Sequence, residues 1–175
     1  WISTLDFTLL FAVWLQLGIL SIPIRKELGL SNQEVTWLAA VAILNGAFWR
    51  LLFGVWADRF GARPLMLALM AMAAGASWLV SLAHSFHDLL IAAFLVGIAG
   101  NAFSVGVSWN SAWFPKSRQG MALGLFGAGN VGASITKLIG PALIVLVPAA
   151  GYMGGFIQGG WRFVPQLYSG LLVAM

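Results

Sequence analysis

The sequence predicts an all-α membrane protein with six transmembrane helices, the sixth incomplete. Three observations predict it. The 175 residues are 61% hydrophobic and only 8% charged, whereas about a quarter of the residues in a soluble domain are charged. Mean hydropathy is +0.92. The apolar residues also fall in long blocks between short polar segments, and five blocks reach the ~20 residues a helix needs to cross hydrocarbon.

The first span is expected from Trp1 to about Ile22, ending before Pro23 and the charged Arg25-Lys26-Glu27. The second is expected from about Val35 to Trp56, with Ser31 and Glu34 ahead of it spaced as a capping box. The third runs from Pro64 to about Ala83, its proline in the first turn, where no N–H is needed. The fourth runs from Leu89 to about Phe114 and stops at Pro115; the fifth runs from Gly120 to about Val147. A glycine-rich loop follows, and Val164 to Met175 begins a sixth span too short to cross a bilayer. The chain opens at Trp1 and closes at Met175 inside apolar runs, so both ends read as cut from a longer sequence, and no signal peptide is expected.

Loop charges orient the helices, because cytoplasmic loops collect Lys and Arg. Arg59 and Arg63 lie between helices two and three, and Lys116 and Arg118 between helices four and five. The opposite side holds Arg25 and Lys26, offset by Glu27 and Glu34, together with Arg162. The 2–3 and 4–5 loops are therefore placed in the cytoplasm. The basic residues form no stripe for nucleic acid. With no cysteine and only His84 and His87, neither a thiol nor a His-rich metal site is expected, and no cofactor is implied.

Arg50 stands inside the second predicted span, roughly 9 Å from its cytoplasmic end. Burying a guanidinium in hydrocarbon costs at least ~2.5–3.5 kcal/mol, so it should face protein or water. Among acids, only Asp6 falls within a full span. An unpaired cation in a wet cavity suits an anionic ligand, and a planar guanidinium pairs bidentately with planar oxyanions. Snorkelling to the headgroups, or an acid supplied elsewhere, is the alternative. Gly46 and Gly54, one turn either side, clear bulk from its face.

On helix five, Gly127, Asn130, Ser134 and Lys137 draw one polar stripe, while Gly120, Gly124 and Gly127 read as a tight packing face. The Asn and Ser also fit interhelical hydrogen bonding, and Lys137 fits snorkelling to the outer surface. On helix four, Asn101, Ser104, Ser108 and Ser111 form a polar line, with Phe103 and Asn110 on another face. Asn110, Ser134 and Lys137 remain further candidates for substrate binding or ion coupling.

The stretch from Gly54 to Arg63, with Asp58, Arg59 and Gly61 inside it, is expected to be a tight loop: either a capped connector or a charged latch that breaks during transport. It resembles the G-x-x-x-D-R-x-G-x-R signature between helices two and three of the major facilitator superfamily, with Ala62 at a position that is often basic. The stretch from Gly97 to Gly140 resembles the nitrate signature of the nitrate/nitrite porter family within it: a polar helix four, an F-P-K loop and a G-x-G-N helix five.

The resemblance implies the N-terminal six-helix half of a major facilitator fold, working by alternating access in a bacterial cell membrane. It implies that Arg50 binds nitrate or nitrite, that Phe103 stacks on the anion and that Gly127 and Asn130 contact it. Lys137 stands where some members carry a neutral polar residue. A C-terminal half of the same polypeptide is expected to supply a second arginine, with protons as a further partner if transport is symport rather than nitrate/nitrite antiport. The alternatives are a facilitator for another small anion or a non-transporting membrane sensor domain. An enzyme is not expected, because no intramembrane His, Cys or carboxylate pair offers acid–base chemistry.

Overall fold

A computed structural model describes residues 1–148 and 150–175; Ala149, in the loop between helices five and six, lies outside the described residues. The described residues form ten α-helices: α1 Ile2–Ile19, α2 Ser21–Leu28, α3 Asn32–Phe48, α4 Arg50–Phe60, α5 Ala62–Leu82, α6 Phe86–Val96, α7 Ala102–Trp113, α8 Lys116–Gly127, α9 Val131–Leu146 and α10 Phe163–Ala174. Several of these are pieces of one span. Short 3₁₀ turns at Gly97–Asn101 and Ala128–Asn130 join α6 to α7 and α8 to α9. The resulting Phe86–Trp113 and Lys116–Leu146, like α1 and α5, are long and apolar enough to cross a membrane. A fifth span comes from α3 and α4, which meet at a 41° bend.

The second span is thus broken rather than continuous. No proline causes the break: Trp49, at ψ −9°, turns the chain out of α register, and Arg50 opens the next helix. The first span also ends earlier than expected, at Ile19, and Ser21–Leu28 is a helix rather than a loop. Pro23 is tolerated there because it sits in the first turn. Arg25 and Lys26 fall in the last turn, where cations complement the helix dipole, and Gly29 closes it at φ +65°.

Ser31 and Glu34 form a reciprocal capping box, which starts α3 at Asn32. Ser85 and Asp88 form a second, starting the fourth span at Phe86 rather than Leu89. The Gly54–Arg63 stretch is not a loop. It is the second half of α4, a one-residue turn at Gly61 (φ +90°) and the start of α5.

α1 lies at the centre, burying Phe7, Leu10, Val13 and Leu17 against the neighbouring helices. Gln16, fully buried on the same stripe, donates to Ser77 Oγ of α5 at 3.1 Å, and Ser77 donates to Pro165 O of α10 at 2.9 Å. Three helices are tied by one network whose polar groups have no water to turn to. Large apolar side chains such as Leu51, Leu138, Val145 and Val173 stand exposed on the outside, as a lipid solvent allows.

The packing glycines of helix five are not those expected. A Cβ on Gly120, Gly124 or Gly127 would meet nothing within 4 Å. On Gly129 it would come within 2.6 Å of Phe7 Cδ1, and on Gly132 it would overlap the Thr8 carbonyl. α1 therefore lies against Gly129 and Gly132, on a different face.

Candidate functional site

The breaks in the second, fourth and fifth spans gather around a group of aromatic rings. Phe7 and Phe126 stack at 4.7 Å, Phe103 lies 5.7 Å from Phe7 and 6.0 Å from Phe126, and Phe7 continues through Phe11 to Trp14. Phe126 sits against Gly106, where any side chain would overlap its ring. The 3₁₀ turns of the fourth and fifth spans and the bend at Trp49 thus lie against apolar rings.

Arg50 enters this site from the first residue of α4. Its guanidinium carbon lies 5.9 Å from the Phe103 ring centroid and 6.0 Å from that of Trp14. Nη2 donates to Gly100 O, in the 3₁₀ turn of the fourth span, at a long 3.5 Å. Nε is buried with no partner among the described residues. No carboxylate pairs with Arg50: among the described residues the ion pair is Arg162 with Glu27. Asp6 is buried on the inward stripe of α1 and makes no ion pair with Arg50. A half-buried cation with one long neutral acceptor and a buried, unused Nε–H is incompletely satisfied, and the arrangement can accept an oxyanion.

The remaining expected residues divide. Phe103 is 39% exposed, so its ring both touches the Arg50 head and opens outward. Gly127, half-buried, has open space over its Cα, and Asn130, Ser134 and Lys137 are all exposed on the same side of helix five. Asn130 makes no side-chain hydrogen bond among the described residues. Asn110 is engaged inside the bundle, accepting from Ser3 Oγ at 3.3 Å and donating to Gly106 O at 2.8 Å. Gly54, Asp58, Arg59 and Arg63 flank the turn at Gly61, and the three charged side chains are exposed and make no ion pair with one another. Arg59 lies 5.6 Å from the Phe60 ring.

Sequence reasoning missed Trp14. Its N–H donates to Ala42 O at 3.0 Å, and its ring is the second aromatic surface against Arg50. The signal available was partial: Ala42 and Gly46 recur at four-residue spacing on α3 and mark a close-approach face, without saying that Trp14 fills it.

At the other end of the bundle, Arg162 is buried against its own Trp161 ring, 4.4 Å away, and pairs with Glu27 while donating to Ala83 O at 2.8 Å. Trp161 Nε1 also donates to Glu27, at 2.8 Å. This cluster ties α2, the end of α5 and the start of α10 together.

Broken membrane helices around an unpaired cation, with an exposed polar stripe on one face, are the architecture secondary transporters use. The chain belongs to the Major Facilitator Superfamily, whose family profile matches residues 2–175. It is 62% identical over 175 residues to a probable nitrate/nitrite antiporter, NarK1, of Thermus thermophilus (100% of this chain, 40% of that protein). It is 30% identical over 162 residues to the nitrite extrusion protein of Bacillus subtilis (93% of this chain, 38% of that protein). With the nitrate/nitrite transporter NarU of Salmonella typhimurium the identity is 31% over 179 residues (98% of this chain, 37% of that protein). The chain spans about two fifths of the length of these relatives. It is a multi-pass membrane protein, all-α in its described residues.

Proposed function

We propose that the chain is the N-terminal half of a transporter that carries nitrate or nitrite across the membrane by alternating access, with Arg50 as the anion-binding residue. One observation carries the reading: Arg50 is set among aromatic rings at converging helix breaks, with an unpartnered Nε and no carboxylate. Phe103 covers the face of the planar anion. Gly127 and Asn130, on the exposed stripe, complete its surroundings where a second six-helix half closes over this one, and Ser134 and Lys137 continue the same interface. The exposed Asp58, Arg59 and Arg63 serve as the cytoplasmic latch between the halves.

Exchange is favoured over symport. A site built from Arg50 and a second arginine from the other half is strongly positive when empty, so it recloses poorly without an anion. The antiporter name of the Thermus relative supports the same direction.

The test is nitrate uptake by the full-length protein carrying Arg50→Lys. Lysine keeps the charge but loses the fork, so uptake should fall at least tenfold, as expected from roughly 1.5–3 kcal/mol for a charge-assisted hydrogen bond. Wild-type uptake in the variant would remove the bidentate clamp. Competition among nitrate, nitrite, formate and chloride separates this reading from a facilitator of another small anion.

A further inference from the structure

The slot that holds Trp14 is built from three helices. Its indole N–H reaches Ala42 O on α3 at 3.0 Å. The ring then passes over Gly46, where a Cβ would stand 3.0 Å from Nε1 and 2.8 Å from Gly97 O. From the fourth span, Gly100 lies against the ring so closely that a Cβ there would come within 2.6 Å of Cε2. The same Gly100 supplies the carbonyl that accepts from Arg50 Nη2. Two glycines and one carbonyl therefore fix the indole, and the indole meets the guanidinium at 6.0 Å from its centroid.

We propose that Trp14 is a positioning residue for anion selection: with Phe103 it fixes the plane of the Arg50 guanidinium and thereby favours planar oxyanions over spherical ions. The inference rests on the reading of Arg50 as the nitrate- or nitrite-binding residue. Tryptophan is the strongest aromatic partner for a guanidinium. A side chain with four rotatable bonds and a single long hydrogen bond would otherwise be free to change rotamer. Fixing its plane leaves the N–H edge as the binding surface, which matches two oxygens of a planar anion and offers no advantage to a halide. Trp14 does not contact the anion in this scheme; it acts through Arg50.

The experiment uses the full-length transporter in proteoliposomes, with nitrate KM, Vmax and the ratio of half-inhibitory bromide to nitrate concentrations as readouts. Trp14→Leu should raise nitrate KM roughly three- to thirtyfold, the range for loss of a partly desolvated cation–π contact. It should also lower the bromide-to-nitrate ratio. Trp14→Phe keeps a ring and should recover most of both. Gly100→Ala, which displaces the indole without removing it, should move KM in the same direction and covers the case in which Trp14→Leu does not fold. An unchanged KM and ratio in a folded Trp14→Leu or Gly100→Ala protein overturns the proposal, and so does a loss confined to Vmax. If wild type itself fails to take up nitrate, the reading of Arg50 fails and this inference falls with it. Wild-type uptake with unaltered selectivity in the variants removes Trp14 alone.

Discussion

Gly132→Ala tests a crossing at which the fold leaves no room for a side chain. α9 crosses α1 at Gly132, where a new methyl would overlap the Thr8 carbonyl and crowd Ala12 N. Both obstacles are backbone, so no rotamer change makes room. The helices would have to part by about an ångström before the methyl reached ordinary contact, and a gap of that size forfeits a quarter to a half of each well along the crossing. Overpacking of this kind costs about 1–3 kcal/mol. The matched control is Gly75→Ala in the middle of α5, where a Cβ meets nothing within 4 Å and the glycine is exposed. Helix propensity alone makes that change favourable by about 0.5–1 kcal/mol. The measurement is the fraction of full-length protein that stays monodisperse in detergent after heating, giving an apparent Tm for each variant. Gly132→Ala should lower it and Gly75→Ala should leave it equal or higher. Equal midpoints for the two variants would refute the close crossing of α1 and α9.

Ser77→Ala should destabilise by about 1–3 kcal/mol, because it leaves buried Gln16 and the Pro165 carbonyl without their shared partner; the same heating assay reads it. Ser85→Ala removes the capping box of the fourth span and should cost about 0.5–2 kcal/mol, with Ser85→Asn recovering most of the loss. Arg162→Leu should loosen the end of the bundle where α2, α5 and α10 meet, speeding limited proteolysis after Arg25 or Lys26 relative to wild type. Unchanged cleavage would show that the Glu27 pair holds nothing there.

The membrane class, the succession of spans and the singular position of Arg50 were legible in the sequence, since each depends on composition or on local chemistry. Long apolar runs have one stable solvent, and a guanidinium in such a run stands out wherever the helices go. The capping box at Ser31 was equally local. The break at Trp49 was not legible, because no proline or adjacent glycine pair marks it, and neither was the helix at Ser21–Leu28, where charged residues read as loop.

What the sequence by itself determined is that this chain crosses a membrane repeatedly and carries a cation that must find a polar partner. The tertiary structure decided which glycines meet a neighbouring helix: Gly129 and Gly132 rather than Gly120 and Gly124. It also placed Trp14 beside Arg50 across 36 residues of sequence. Spacing along one helix specifies faces, but not which face another helix covers. That choice depends on the rotation of each helix about its axis, which is set by all its neighbours packing at once.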